Sequence, residues 1–358
     1  MTSFSKRTAI VVGLIALATL GQSCSISVGN TKPKDGGVYR TDNQAGTWRQ
    51  KTFIRTEKKR RIGLDDATIN FLLIDPQNGD RLYAGVRGLG LWTSANRGEQ
   101  WSATGLRTGT YRCLGFDPKN DQILYLASGS QIQKSTDQGK TWTIVYTEPQ
   151  ARQTIDCLAV DPSRDNILWT VTSGGKVIRS TDYGANWTLV NTVKTITGIV
   201  RLEVDPVTHG LVVFTSRQGI HRFDPSGVQE TDLTAPLALY KGAKAIADVE
   251  VVTTSSGELW YLATAFGILT SSDGGSSWRQ ISTLLNPNST PVANISVNPK
   301  NIAEIYLTTG RRLHRTTDAG ASWAVTTVPT SRQPVWLTID GHNPEQLYFG
   351  TFVPEQKK

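Results

Sequence analysis

Ser135-Thr-Asp-Gln-Gly-Lys-Thr-Trp142 returns along the chain as Ser180-Thr-Asp-Tyr-Gly-Ala-Asn-Trp187, Ser271-Ser-Asp-Gly-Gly-Ser-Ser-Trp278 and Thr316-Thr-Asp-Ala-Gly-Ala-Ser-Trp323. Weaker copies read Ser94-Ala-Asn-Arg-Gly-Glu-Gln-Trp101 and Thr41-Asp-Asn-Gln-Ala-Gly-Thr-Trp48. An Asp followed two residues later by Gly suits a tight hairpin, because the carboxylate accepts from turn amides while Gly takes the positive-φ position. The closing Trp opens the next strand and can lay its indole beneath the turn. A buried indole removes ~150–250 Å² from water, so Trp→Ala should cost about 3–5 kcal/mol in a well-packed copy. The motif uses its polar groups on its own turn. Asp137, Gly139, Trp142, Asp182, Gly184, Trp187, Asp273, Gly275, Trp278, Asp318, Gly320 and Trp323 therefore read as structural residues.

Each octapeptide is the second half of a longer unit. The first half is a strand ending near Asp-Pro, a turn and an apolar, aromatic strand, as in Leu158-Ala-Val-Asp161-Pro162 and Ile123-Leu-Tyr-Leu126. Alternating apolar residues mark the first strand and Pro halts its ladder. Trp142 to Trp187 and Trp278 to Trp323 each span 45 residues, and Trp187 to Trp278 spans 91, two units with a degenerate copy around Pro225-Ser-Gly227. Four-stranded units at this period build a β-propeller. Seven first halves and seven second halves occur. The chain starts on a second half (36–50) and stops on a first half (335–352), so its two ends complete one blade and close the ring. The expectation is an all-β, seven-bladed propeller over residues 36–352, with a tail at 353–358.

Lys6 and Arg7 followed by the apolar run Thr8–Leu20 read as a signal peptide over residues 1–23. Gly21-Gln-Ser-Cys24 suits a lipoprotein processing site with lipid attachment at Cys24, although Leu20 stands one place early; free secretion is the alternative. Residues 24–35 would be a polar tether. The expected location is the outer face of the cytoplasmic membrane or the periplasm. The chain carries a net charge of +8, which favours an acidic protein, anionic lipid or an anionic wall polymer as partner. Export and the lack of interleaved stacking aromatics argue against nucleic acid. Four scattered histidines and three cysteines offer no metal or redox spacing, and no cofactor is expected. Cys113 and Cys157 occupy the same place in two consecutive units, where two buried thiols filling equivalent core slots are favoured over a disulfide.

The sharp octapeptides resemble Asp-box (BNR) repeats, and their alternation with Asp-Pro units is similar to the photosystem II stability and assembly factor family of exported bacterial proteins. The resemblance covers residues 36–352. It implies a non-catalytic, often lipid-anchored ring that holds a membrane-protein partner during assembly; the chain itself is expected to be a monomer. The same motif also occurs in sialidases, xyloglucan hydrolases and sortilin receptors. A sialidase would carry a Phe-Arg-Ile-Pro segment; Phe53-Ile54-Arg55-Thr56 lacks its order and its Pro.

Two constellations stand out as candidate sites. Arg201 and Glu203, then Asp248 and Glu250, sit two and four residues before the Asp-Pro position of successive units and would converge if first strands line the channel. They form either a carboxylate pair for glycoside hydrolysis or, as favoured here, a self-neutralising wall. Between Arg49 and Arg61 an insertion holds seven cations and one anion. Arg55, Lys58, Lys59, Arg60 and Arg61 are read there either as a partner-binding site or as a solvated loop.

Overall fold

The computed structural model describes residues 34–353. The signal segment, Cys24 with nearly all of its tether, and residues 354–358 lie outside the described residues.

Seven four-stranded antiparallel sheets form the domain. Numbered along the chain, blade one spans residues 69–103, blade two 113–147, blade three 155–192, blade four 199–232, blade five 246–281 and blade six 294–327. Blade seven combines Gln333–Ile339 and Leu347–Phe352 with Val38–Thr41 and Arg49–Gln50. Val38 pairs with Gly350 and Thr41 with Leu347, so the two chain ends share one sheet as the half-unit order requires. The only helix among the described residues is a 3-10 turn, Ala235–Leu239.

Burial follows strand position and explains the composition. Second strands such as Leu168–Thr172, Leu211–Thr215 and Ile305–Thr309 are buried at every residue, because neighbouring blades cover both faces. That demands continuous β-branched and aromatic sequence. Outermost strands such as Ala324–Thr327 and Glu230–Asp232 are exposed throughout, and Glu230–Asp232 is wholly polar. The core lies between blades: Trp169, Val171 and Val177 of blade three pack on Leu202, Val204, Leu211 and Phe223 of blade four. Each such side chain contributes roughly 1.5–3 kcal/mol on burial.

The octapeptide turns match their chemistry. The Ser135 hydroxyl donates to Asp137 Oδ1 at 2.8 Å and accepts from the Gly139 amide at 2.8 Å. Asp137 also accepts from the Thr141 amide at 2.8 Å and the Thr141 hydroxyl at 2.6 Å. The same bonds recur at Asp273 and Asp318, and at Asp182 with the Asn186 side-chain amide in place of the hydroxyl. Gly139, Gly184, Gly275 and Gly320 all take positive φ. Hydrogen bonds from the Thr141 side chain and amide outweigh the desolvation of Asp137 and hold its carboxyl down at about 2.

Indole burial departs from expectation. Trp142, Trp187 and Trp323 of sharp copies are only partly buried, whereas Trp101 of a weak copy is 1% exposed. Trp101 donates from Nε1 to the Lys51 carbonyl at 2.8 Å and from its amide to Phe53 O at 2.8 Å. The inserted segment covers it, and among the sharp copies Trp278 alone is buried as expected, packed on Trp260. The degenerate unit still forms its blade. Asp224 accepts from the Gln229 amide at 2.8 Å and the Ser226 hydroxyl at 2.6 Å, a substitute turn without a Trp.

Candidate functional site

First strands line the axis. Pleating alternates their side chains between the channel and the blade core. Blades seven, one, two and three contribute Trp336, Phe71, Leu73, Cys113, Cys157 and Ala159 to the channel wall, and blades four to six contribute Arg201, Glu203, Asp248 and Asn294. The channel is therefore apolar on one side and charged on the other. It encloses a cavity of about 530 Å³ that extends to Pro76, Pro118 and Pro162 at one end of the ring. A second cavity of about 560 Å³ lies between Asn70, Arg87, Thr110 and Arg112. Arg112, Cys157 and Val200 border both.

The four predicted charges do converge. Arg201 forms an ion pair with Glu203, and both side chains keep some contact with channel water while protein encloses them. Asp248 accepts from the Val249 amide at 2.9 Å and, across the blade boundary, from the Ile295 amide at 3.0 Å. Enclosure raises Asp248 to about 6, opposed by those amides and by Arg201. Enclosure also raises Glu250, to about 8, with the Arg201 charge opposing and the Asp248 and Glu203 charges adding to the rise. Enclosure works against the Arg201 cation, but the three carboxylates outweigh it and hold the guanidinium above its ordinary value. Glu203 is held by Arg201 and Asp248 by two amides. Glu250 is the acid of the group that keeps its proton near neutrality.

Cys113 and Cys157 are free thiols that pack against the cores between blades, as favoured over a disulfide, but they are only partly buried. Both line the channel, and their sulfurs lie 2.7 Å apart across the boundary of blades two and three. The Leu158 amide donates to Cys113 Sγ at 3.2 Å, the same cross-blade reach that Asp248 makes to Ile295. Side chains at this register position touch the next blade, which is why two cysteines one unit apart meet.

The cationic insertion is an ordered hairpin, Phe53–Glu57 paired with Arg60–Gly63. Lys58 and Lys59 form its tip at φ 46° and 63°. Phe53 O accepts from the Trp101 amide at 2.8 Å and Ile54 O from Gln100 Nε2 at 3.0 Å, which docks the hairpin on blade one. Arg55 pairs with Glu57 at 3.1 Å and Arg61 with Asp65 at 2.6 Å. Lys58, Lys59 and Arg60 are exposed and form no ion pair among the described residues.

This hairpin belongs to a larger pattern that sequence reading missed. Antiparallel blades send two sets of connections to opposite ends of the ring. The end with the blade-to-blade loops and the turns between second and third strands carries seventeen Lys or Arg and five Asp or Glu among the described residues. The other end, with the octapeptide and Asp-Pro turns, carries five Lys or Arg and fifteen Asp or Glu. Arg107, Arg152, Lys194, Arg217, Lys241 and Arg311 of the basic end are all exposed. A ring polarised this way presents a positive field from one face. The octapeptide Asp and the Asp-Pro Asp place the opposite charge at the other face as a by-product of turn building.

No family model and no curated protein matches the sequence. Among solved structures, the chain is similar to the GH74 xyloglucanase from Xanthomonas campestris, with a TM-score of 0.62 and 17% identity over 85% of this chain and 52% of that one. It is similar to YCF48 from Cyanidioschyzon merolae, with a TM-score of 0.59 and 14% identity over 80% of this chain and 95% of that one. YCF48 bound to D1 peptide gives a TM-score of 0.58 at 14% identity, over 80% of this chain and 94% of that one. The chain spans about half the length of the xyloglucanase and nearly all of YCF48. At these identities the shared property is the fold, which groups a glycoside hydrolase with an assembly factor.

Proposed function

We propose that this chain is a non-catalytic binding or assembly scaffold, built of Asp-box repeats, whose basic end docks an acidic segment of a partner protein. In this reading it is exported and held at a membrane surface through lipid on Cys24. The observation that carries the docking role is the division of charge between the two ends of the ring. The similarity to YCF48 bound to D1 peptide supports a ring of this shape receiving a peptide. Exposed arginines without burial cost suit electrostatic steering and fast capture. The cationic hairpin, with Lys58, Lys59 and Arg60 exposed, extends the same surface outward.

The test is crosslinking in detergent-solubilised membranes, with wild type beside a chain carrying Arg152→Glu, Lys194→Glu and Arg217→Glu. Loss of a specific crosslinked protein from the variant supports the role. An unchanged crosslinking pattern refutes it, and binding transferred to anionic vesicles alone would identify lipid as the partner.

A glycosidase is the second reading, favoured by Glu250 as a proton-bearing acid in the same charged group as Glu203 and by the similarity to GH74. Turnover of xyloglucan by wild type, abolished by Glu250→Gln, would establish it.

A further inference from the structure

We infer that Cys113 and Cys157 form a peroxide-reactive dithiol inside the channel, with Cys113 as the attacking sulfur and Cys157 as the resolving one, closing to a disulfide that joins blades two and three. The two thiols come from equivalent positions of adjacent first strands, and their sulfurs are 2.7 Å apart. At the same register position the other five blades carry Phe71, Arg201, Asp248, Asn294 and Trp336, so cysteine occurs twice only where the two can touch. Both side chains line the water-reachable cavity, which admits a small oxidant.

The surroundings distinguish the two sulfurs. Cys113 receives the Leu158 amide at 3.2 Å, lies 3.3 Å from the Leu158 carbonyl, and shares a hydrogen with Cys157 that either sulfur can donate. The Cys157 contact, the Leu158 amide and the Arg201 charge together hold the Cys113 thiol below its ordinary value against burial. Cys157, facing the Cys113 sulfur and enclosed by protein, is pushed well above its own. A sulfur that accepts a backbone amide loses its proton more readily than its neighbour, which suits it to the attacking role in two-step oxidation.

The steps balance. The Cys113 thiolate attacks one oxygen of hydrogen peroxide, breaking the O–O bond; Cys113 becomes a sulfenic acid and the departing hydroxide takes up a proton as water. Cys157 then gives up its proton and attacks the Cys113 sulfur. The S–S bond forms as the S–O bond breaks, and hydroxide leaves with that proton as a second water. Two electrons pass from the sulfurs to one peroxide.

The experiment treats the reduced full chain with one equivalent of hydrogen peroxide, alkylates the remaining thiols and maps the peptides. The expected product is a Cys113 peptide linked to a Cys157 peptide, lighter by about 2 Da than the two thiol peptides, with Cys24 resolved on its own peptide. Closing a 44-residue loop should also raise the melting temperature of the oxidised form. In Cys157→Ser, a dimedone adduct should form on Cys113; in Cys113→Ser, Cys157 should react at least ~10-fold more slowly with peroxide. Both thiols remaining alkylatable in folded wild type would overturn the dithiol, a result that needs no variant. Equal rates in the two folded single variants would overturn the assignment of roles.

Discussion

The Thr351 hydroxyl donates to the carbonyl of Gly37 at 3.1 Å, joining residues 314 apart where the ring shuts. Gly37 stands at φ 84°, and a side chain there would press on the Leu64 carbonyl. Replacing it by Ala is expected to lower stability by about 1–3 kcal/mol, through strain at positive φ and through displacement of the seam. Urea unfolding monitored by tryptophan fluorescence measures the change. A variant as stable as wild type would show that the seam contributes little.

Trp101 and Trp142 should differ in their cost. Trp101→Ala removes a fully buried indole hydrogen-bonded to Lys51 and is expected to cost about 3–5 kcal/mol. Trp142 is partly exposed and donates only to its own turn at Gly139 O, 3.0 Å away, so Trp142→Ala should cost clearly less. Chemical denaturation of the two variants side by side decides the order.

Stability should fall at both ends of the pH range, for opposite reasons. Asp137 and Asp318 titrate at about 2 in the fold, below an unfolded value of about 3.9. The stabilisation they supply is complete above the unfolded value and disappears as pH drops from about 4 towards 2. Glu250 is displaced upward to about 8, above an unfolded value of about 4.3. Its contribution favours the fold at low pH and is lost as pH rises from about 4 to 8. Glu250→Gln is therefore expected to flatten the decline between about pH 4 and 8 and leave the decline below about pH 4 unchanged. Urea midpoints taken at steps of one pH unit would reveal either outcome.

Hydrolysis of xyloglucan or of a mixed glycan panel is expected to be undetectable with wild type, because the Glu203 carboxylate is committed to Arg201 and the Asp248 carboxylate to two amides. Reducing-end release over a day at pH 5 to 7 is the measurement. Release that vanishes in Glu203→Gln would transfer the channel to the hydrolases.

Much of the fold was legible because its information is local. The octapeptide states its turn, the Asp-Pro units state their strands, and the split half-units at 36–50 and 335–352 state the closure. The burial of Trp101 was not legible, since it depends on a segment 50 residues earlier in the chain folding over it. Nor was the pairing of Cys113 with Cys157, which follows from cross-blade reach rather than from spacing. The four channel charges were found because they fall on successive units at a fixed register. Reading that register through all seven units would also have exposed the apolar half made by Phe71, Leu73 and Trp336. The basic end stayed hidden because Arg107, Arg152, Lys194 and Arg217 are far apart in sequence and meet only when the ring places their loops on one face.

An acidic decapeptide, fluorescein-labelled and rich in Glu, offers the simplest probe of that face. Its anisotropy should rise on titration with wild type, weaken steeply as salt increases, and disappear for the chain carrying Arg152→Glu, Lys194→Glu and Arg217→Glu. Reversal of Lys119, Lys140 and Lys300 at the opposite end should leave the titration intact. Equal binding by both variants, or binding indifferent to salt, would contradict a docking role for the basic end of the ring.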